Sequence, residues 1–119
     1  MINKQIHKIS EKDTYKAYKI FFGTLVSEPR IKMINLLRNK RKSVSEIMSE
    51  LKMNQTSVSH NLARLKKCGF VNVEVKGKFR YYSLNNQTIK PLMSLIDKHM
   101  SDHCVHILNK SKLKGGKRK

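Results

Sequence analysis

The stretch NQTSVSHNLARLKKCGF, residues 54–70, decides the fold. Its apolar residues Val58, Leu62 and Leu65 recur at i, i+4 and i+7, the spacing of the buried face of an amphipathic helix. Gly69 follows where a helix is expected to end. The opposite face starts with short uncharged side chains and ends with basic ones: Gln55, Thr56, Ser59, His60, Ala63, Arg64 and Lys67. This polar face is a candidate contact surface.

A short helix is predicted directly before that stretch, over residues 43–51 (SVSEIMSEL). Ser43 and Glu46 have the spacing of a capping box, in which each side chain bonds the other residue's backbone N–H. Residues 52–54 then form a tight three-residue connection. A short helix, a tight turn and a second helix with a polar outer face make a helix-turn-helix.

The apolar period changes from helical to alternating after Gly69. Residues 70–75 and 79–84 are rich in β-branched and aromatic side chains and predict two strands joined by a turn over residues 76–78. The hairpin has a basic tip. A hairpin directly after a helix-turn-helix makes it winged, so the predicted fold is mainly α with a small β-hairpin wing.

Three further helices complete the prediction. The first covers residues 14–26. The second begins at Ser27-Glu28-Pro29, with Ser27 as its cap and Pro29 in its first turn, and ends in the basic turn 38–42. The last runs from about Gln87 to Asn109 and carries a broad apolar stripe. We therefore expect an N-terminal arm (1–13), a winged helix-turn-helix domain with a C-terminal dimerisation helix (14–109) and a basic disordered tail (110–119).

The net charge of the chain limits the kinds of partner that it can have. The 119 residues include 26 Lys and Arg against 8 Asp and Glu, a formal net charge of +18, so polyanions are the natural partners. No segment approaches the run of about 20 apolar residues that spans a bilayer. No signal-peptide core is present, and two cysteines are too few for a disulfide scaffold. We expect a cytoplasmic protein with reduced thiols, neither an enzyme nor a membrane-surface protein.

The predicted partner is double-stranded DNA, with the polar helix in the major groove. Gln pairs bidentately with adenine, Ser, Thr and His reach base edges or phosphates, and basic side chains neutralise phosphates. The candidate DNA-contacting residues are Gln55, Thr56, Ser57, Ser59, His60, Arg64 and Lys67 on the helix and Lys76, Lys78 and Arg80 on the wing. The alternative is a non-specific architectural DNA-binding protein, which the uncharged front of the helix disfavours.

Three segments together resemble the ArsR/SmtB family of winged-helix repressors. They are PRIKMINLL (29–37), SVSEIMSELKMNQTSVSHNLARLKKCGFV (43–71) and GKFRYYSL (77–84), and the resemblance covers roughly residues 15–108. It implies a transcriptional repressor, homodimeric through its first and last helices, that binds a palindromic operator. Many members are released from DNA by an inducer, often a metal ion.

The dimer also follows from the residues themselves. The predicted last helix carries more apolar surface than a small winged domain can cover, and two-fold pairing would bury it. The same pairing presents two recognition helices to successive major grooves.

The last helix also concentrates metal-ligating side chains: His99, Asp102, His103, Cys104 and His106. Such a set suits Zn, Ni, Co or Cu(I), with further ligands from the partner subunit or from His7. The resemblance implies a site whose end pair falls on His99 and Asp102, but its start pair falls on Asn86 and Thr88, which are poor ligands. The alternatives are a thiol sensor centred on Cys104, or polar residues at a dimer seam without an inducer.

Overall fold

The structure, a computed structural model, describes residues 10–108 and begins with two serine-capped helices. The first helix, α1, spans Glu11–Leu25, and the Ser10 Oγ accepts a hydrogen bond from the Asp13 N–H at 3.1 Å. It therefore starts three residues before the predicted position, because Ser10 satisfies a free N–H of its first turn. Residues 11–13 belong to this helix, which corrects their assignment to the arm.

The second helix, α2, spans Glu28–Leu36 and has the predicted start. The Ser27 Oγ accepts from the Arg30 N–H at 3.5 Å, and Pro29 lies in the first turn. The predicted end in the basic turn 38–42 is wrong, because the chain leaves the helix at Leu37. The next residues must turn so that Lys42–Ser43 can join the sheet as a short strand, β1.

The third helix, α3, spans Val44–Leu51, and its predicted capping box is confirmed. The Ser43 N–H donates to the Glu46 carboxylate at 2.8 Å, and the Glu46 N–H donates to the Ser43 Oγ at 3.2 Å. Lys52 then adopts the left-handed conformation, with φ of 54°. This residue makes the tight turn of the helix-turn-helix.

The fourth helix, α4, spans Gln55–Lys67 and is capped at both ends. Asn54 Oδ1 accepts from the Ser57 N–H at 2.7 Å. At the other end the Gly69 N–H bonds the Lys66 carbonyl at 3.0 Å and the Phe70 N–H bonds the Leu65 carbonyl at 2.9 Å. These two bonds form a Schellman motif, and Gly69 supplies the positive φ of 78° that it requires.

The wing consists of β2, Val71–Lys76, and β3, Phe79–Leu84, joined by a tight turn in which Gly77 has φ of 61°. The antiparallel sheet has the order β1-β3-β2. The prediction of a two-stranded hairpin was therefore incomplete, because β1 pairs with the inner strand β3. Otherwise the predicted class is confirmed: the protein is mainly α with a winged helix-turn-helix.

The chain divides into two compact units, Met1–Leu84 and Asn85–Lys119. The apolar core of the first unit joins α2, α3 and α4 to the base of the wing. Its buried apolar residues are Met33, Ile34, Leu37, Ile47, Val58, Leu62, Leu65, Phe70, Val71 and Leu84.

The second unit contains the last helix, α5, which spans Ile89–His99. It starts two residues later than predicted, because Asn85 Oδ1 accepts from the N–H groups of Gln87 and Thr88 at 3.0 and 3.2 Å and holds them in a turn. Ile89 and Met93 are its buried residues.

A π-helical turn, Met100–Cys104, follows α5 and leads into helical residues 105–108. The Val105 N–H bonds the Met100 carbonyl, five residues back, so the 3.6-residue period is not kept there. In the sequence, His99, His103 and His106 fall at i, i+4 and i+7, which predicts that they share one face of a regular helix. The π-helical turn interrupts that spacing and corrects the prediction. Asn109, the arm up to residue 9 and the tail 110–119 lie outside the described residues. None of the helices within residues 10–108 is long and apolar enough to cross a membrane.

Candidate nucleic-acid interface

The outer face of α4 presents the predicted base-reading residues to solvent. Gln55, Thr56, Ser59 and His60 are exposed in the first half of the helix, while Val58 is fully buried beneath them. The apolar spacing of this helix therefore sets which side chains face outward. Neutral hydrogen-bonding groups at the front of an exposed helix suit the edges of bases better than phosphates.

Two predicted contacts on α4 are only partly exposed. Ser57 is half-buried, and its carbonyl accepts from Asn61 Nδ2 at 2.9 Å. Arg64 is also half-buried, and its Nε donates to the Thr24 Oγ1 at 3.1 Å. Arg64 thus links α4 to α1, and contact of its guanidinium with DNA stays a prediction.

A partly buried network of hydrogen bonds from Arg30 fixes the rotation of α4 about its own axis. Arg30 on α2 donates through its Nε to the Thr24 carbonyl at 2.9 Å, and through NH2 to the Gly23 carbonyl at 3.3 Å. Its NH1 donates to Asn61 Oδ1 at 3.2 Å. One guanidinium therefore joins the end of α1 to the middle of α4.

The network between Arg30 and Asn61 was not predicted from the sequence. The residue that could have indicated the network is Asn61, which lies three residues after Val58 and four before Leu65, on the apolar face of the helix. A polar residue at such a position needs a buried partner.

The C-terminal end of α4 is basic, as predicted. Lys67 is exposed, and so is Lys66, which sequence analysis did not select. Positive charge here also favours the helix dipole. The helix therefore carries neutral donors and acceptors at one end and cations at the other.

The wing carries its predicted cations in exposed positions at Lys76, Lys78 and Arg80. The strand register pairs Lys76 with Phe79 and Val75 with Arg80, so each face of the tip has one cation and one apolar side chain. Phe79 is 55% exposed and Val75 63% exposed. These two exposed apolar side chains were not selected from the sequence.

Arg41 braces the base of the wing. Its guanidinium forms an ion pair with Glu74 and lies 4.8 Å from the centre of the Tyr81 ring. Glu74 and Tyr81 are cross-strand partners, so one cation holds both strands. From the sequence, Arg41 was predicted only as part of a basic turn.

The capping glutamate of α3 is held in its charged form. The pKa of Glu46 is lowered, mainly by the hydrogen bond from the Ser43 backbone N–H. Partial desolvation opposes this shift, and the Ser43 hydroxyl and the nearby Lys42 and Lys40 lower the pKa further. The helix that precedes the turn is thus stabilised by a carboxylate at its positive end.

The predicted metal-ligating residues lie on the last helix and are exposed. The rings of His99 and His103 are 4.6 Å apart, centre to centre. Asp102 pairs with Lys98 at 3.2 Å, and Cys104 and His106 are exposed. Within residues 10–108, one chain does not bring three or more metal-ligating side chains together.

The two cysteines lie in different settings. Cys68 is half-buried at the end of α4, with its Sγ 3.4 Å from the Thr24 Oγ1, whereas Cys104 is exposed in the π-helical turn. His7, the suggested additional metal ligand, lies outside the described residues.

Comparison with known proteins places these features in a family. Residues 27–73 match the model of the bacterial regulatory protein, arsR family. The cadmium resistance transcriptional regulatory protein CadC of Listeria innocua is 32% identical over 95 residues, which cover 79% of each chain.

Solved structures share the fold. The crystal structure of Rv0081 from Mycobacterium tuberculosis matches with a TM-score of 0.74 and 26% identity, over 80% of this chain and 96% of that one. The homodimeric winged helix-turn-helix DNA-binding domain Mb0332 from Mycobacterium bovis matches with a TM-score of 0.73 and 23% identity, over 85% and 95% of the two chains.

Proposed function

This chain belongs to the arsR family of bacterial regulatory proteins and is a DNA-binding transcriptional regulator, and on that premise we propose that it is a homodimeric repressor of a palindromic operator. The observation that carries the proposal is the gradient along α4. Neutral hydrogen-bonding side chains are exposed at its N-terminal end, and lysines are exposed at its C-terminal end. Such a helix reads bases with one end and contacts the phosphate backbone with the other.

We assign base reading to Gln55, Thr56, Ser59 and His60, and phosphate contact to Lys67 and the wing cations. Gln is suited to adenine, with an amide that donates to N7 and accepts from N6. Lys76, Lys78 and Arg80 project from a tip that Arg41 braces at its base. The wing would then add affinity without adding sequence preference.

The homodimer is supported by apolar side chains that each chain leaves exposed. On α1 these are Tyr15, Tyr18 and Phe22, and on the last helix they are Leu95, Met100, Val105, Ile107 and Leu108. Clusters of exposed large apolar side chains mark association surfaces. A two-fold dimer repeats one recognition helix on each half-site, which requires a palindromic operator.

The decisive experiment measures affinity for DNA from the protein's own promoter region and for random DNA of the same length, by fluorescence anisotropy at several salt concentrations. We expect specific binding to exceed random binding by about a thousandfold or more. Changing Gln55 to Ala should cost about 1–3 kcal/mol on the operator and little on random DNA. The matched control is Lys66→Gln on the same helix, which should weaken both DNAs alike.

Two results would contradict the proposal. Equal affinity for the two DNAs would favour the alternative, an architectural DNA-binding protein. Equal loss on both DNAs after Gln55→Ala would mean that this end of the helix does not read bases.

For the inducer we propose a transition-metal ion, Zn, Ni, Co or Cu(I). His99 and His103 on the last helix bring two imidazoles close together, and the relative CadC is named for cadmium resistance. Asp102, Cys104 and His106 are the remaining candidates. Because the described residues of one chain bring too few ligands together, we propose that the partner subunit completes the tetrahedral shell.

The test titrates the reduced, DNA-bound protein with each metal and follows release by anisotropy. One metal should release the DNA, and the double change of His99 and His103 to Ala should abolish that release without changing DNA affinity in metal-free buffer. Ser94→Ala on the same helix is the control. If no metal alters binding, the histidines are dimer-seam residues or the sensor is the Cys104 thiol.

A further inference from the structure

A cavity of about 520 Å³ lies between α1 and the C-terminal end of α4. Its volume lies in the range of pockets that hold small organic ligands. Its lining does not include the residues at the base-reading end of α4. Its lining residues are Ala17, Ile20, Phe21, Arg64, Lys67 and Cys68.

The wall formed by α1 is apolar and held in place. The Phe21 ring stacks on the buried Phe70 ring, with centres 5.2 Å apart and planes inclined by 27°. Ile20 is 54% exposed beside it. This side of the cavity can therefore cover an apolar group, and Phe21 cannot swing away without losing its stacking partner.

The wall formed by α4 is cationic. Arg64 is held toward α1 by its bond to Thr24, and Lys67 lies one position before the Cys68 cap. Within residues 10–108, neither cation forms an ion pair with a carboxylate. Two unneutralised cations beside an apolar wall match an anion that carries an apolar body.

We propose that this cavity binds a hydrophobic carboxylate, with its chain against Ile20 and Phe21 and its carboxylate on Lys67 and Arg64. Binding itself does not require DNA. Its consequence rests on the proposed function, because Arg64 and Lys67 are also predicted phosphate contacts. A carboxylate on these cations would compete with the DNA backbone, so each ligand would weaken the other by the same factor.

The first experiment measures binding of sodium decanoate to the full chain without DNA, by calorimetry. Decanol and decyltrimethylammonium, which share the chain length, serve as comparison ligands. Decanoate should bind and both others should bind at least about tenfold more weakly, because a charge-assisted hydrogen bond contributes about 1.5–3 kcal/mol.

Variants locate the site. Lys67→Gln should weaken decanoate binding about five- to tenfold, whereas Lys66→Gln, the same change one residue away and outside the cavity, should leave it unchanged. Ala17→Trp should fill the cavity and abolish binding, with circular dichroism confirming the fold. Equal effects of the two lysine changes, or equal affinity for decanoate and decanol, would overturn the proposal.

The second experiment adds decanoate to the complex with promoter DNA. Release that Ala17→Trp prevents would support competition for the shared cations. Binding of decanoate without any release would overturn the competition and leave both the ligand site and the DNA-binding function standing. A protein that binds decanoate but has no preference for promoter DNA would contradict the proposed function alone.

Discussion

Helix α4 and the last helix differ in how firmly the rest of the chain holds them. Helix α4 has four buried residues, a side-chain cap at its start and a Schellman motif at its end. The last helix has no side-chain cap on α5, contains a π-helical turn and has no buried residue from 94 to 108. The chain itself therefore fixes the proposed DNA-contacting surface, whereas the last helix leaves large apolar side chains exposed, which is where we propose that a second copy packs.

The largest expected effect comes from charging the exposed face of the last helix. Leu95 and Ile107 are each 66% exposed, and changing both to Glu would place charges in an apolar interface. We expect monomers by light scattering, and a loss of operator affinity on the order of a hundredfold as the second half-site is lost.

Ser94→Glu is the control for that change, because it adds one negative charge of the same kind at an exposed position next to Leu95. It should leave the dimer intact. A double variant that stays dimeric would mean that this face is not the interface, and a monomeric wild type would remove the dimer from the proposal.

The next largest effect is on the free energy of unfolding, and it tests whether the bond between Arg30 and Asn61 holds α4 in place. Asn61→Leu removes the acceptor of the Arg30 NH1 bond and leaves a half-buried cation without one partner. The free energy of unfolding should fall by about 1–3 kcal/mol, measured by urea denaturation. Asn35→Leu, at an exposed position, should change it by less than about 0.5 kcal/mol. If both variants unfold alike, the network does not hold the helix.

Local chemistry was predictable from the sequence, and pairing between distant segments was not. Ser43 with Glu46 and Gly69 act within a few residues of themselves, so their roles were predicted before the fold was known. Asn54 caps α4 through an equally local bond that was not predicted. Strand β1 could not, since two residues carry no periodicity and form a strand only by pairing with Tyr81 and Tyr82.

In the candidate DNA-binding site, too, local features were predictable from the sequence and contacts between distant residues were not. The exposed face of α4 followed from the spacing of Val58, Leu62 and Leu65, whereas the bond between Arg30 and Asn61 joins residues 31 positions apart. The π-helical turn was missed because helical periodicity assumes i to i+4 bonds throughout.

A change in the wing should have a smaller effect on DNA affinity than the changes above, and this effect distinguishes the role of the wing from that of α4. Changing Lys78 to Ala should weaken binding to promoter and random DNA equally and reduce the slope of affinity against salt by about 1. Lys19→Ala, an equal loss of charge on α1, should leave that slope nearly unchanged. A selective loss on promoter DNA after Lys78→Ala would instead assign sequence reading to the wing.

The smallest expected effect concerns the capping box that begins the helix-turn-helix. Because the Ser43 N–H bonds the charged carboxylate, the pKa of Glu46 is lower in the folded than in the unfolded chain. Its contribution to stability is therefore complete above the unfolded pKa and is lost as the pH falls through the folded pKa. The wild type should be more stable than Glu46→Gln at neutral pH, and the two should converge in acid.

Urea denaturation across that range checks the convergence, and a double-mutant cycle with Ser43→Ala isolates the pair, since the second change should cost less once the first is made. A stability difference that does not depend on pH would show that the box stabilises α3 through its geometry rather than through the charge. In that case α3 would not depend on a carboxylate at its positive end. It would then resemble α5, which begins without a side-chain cap.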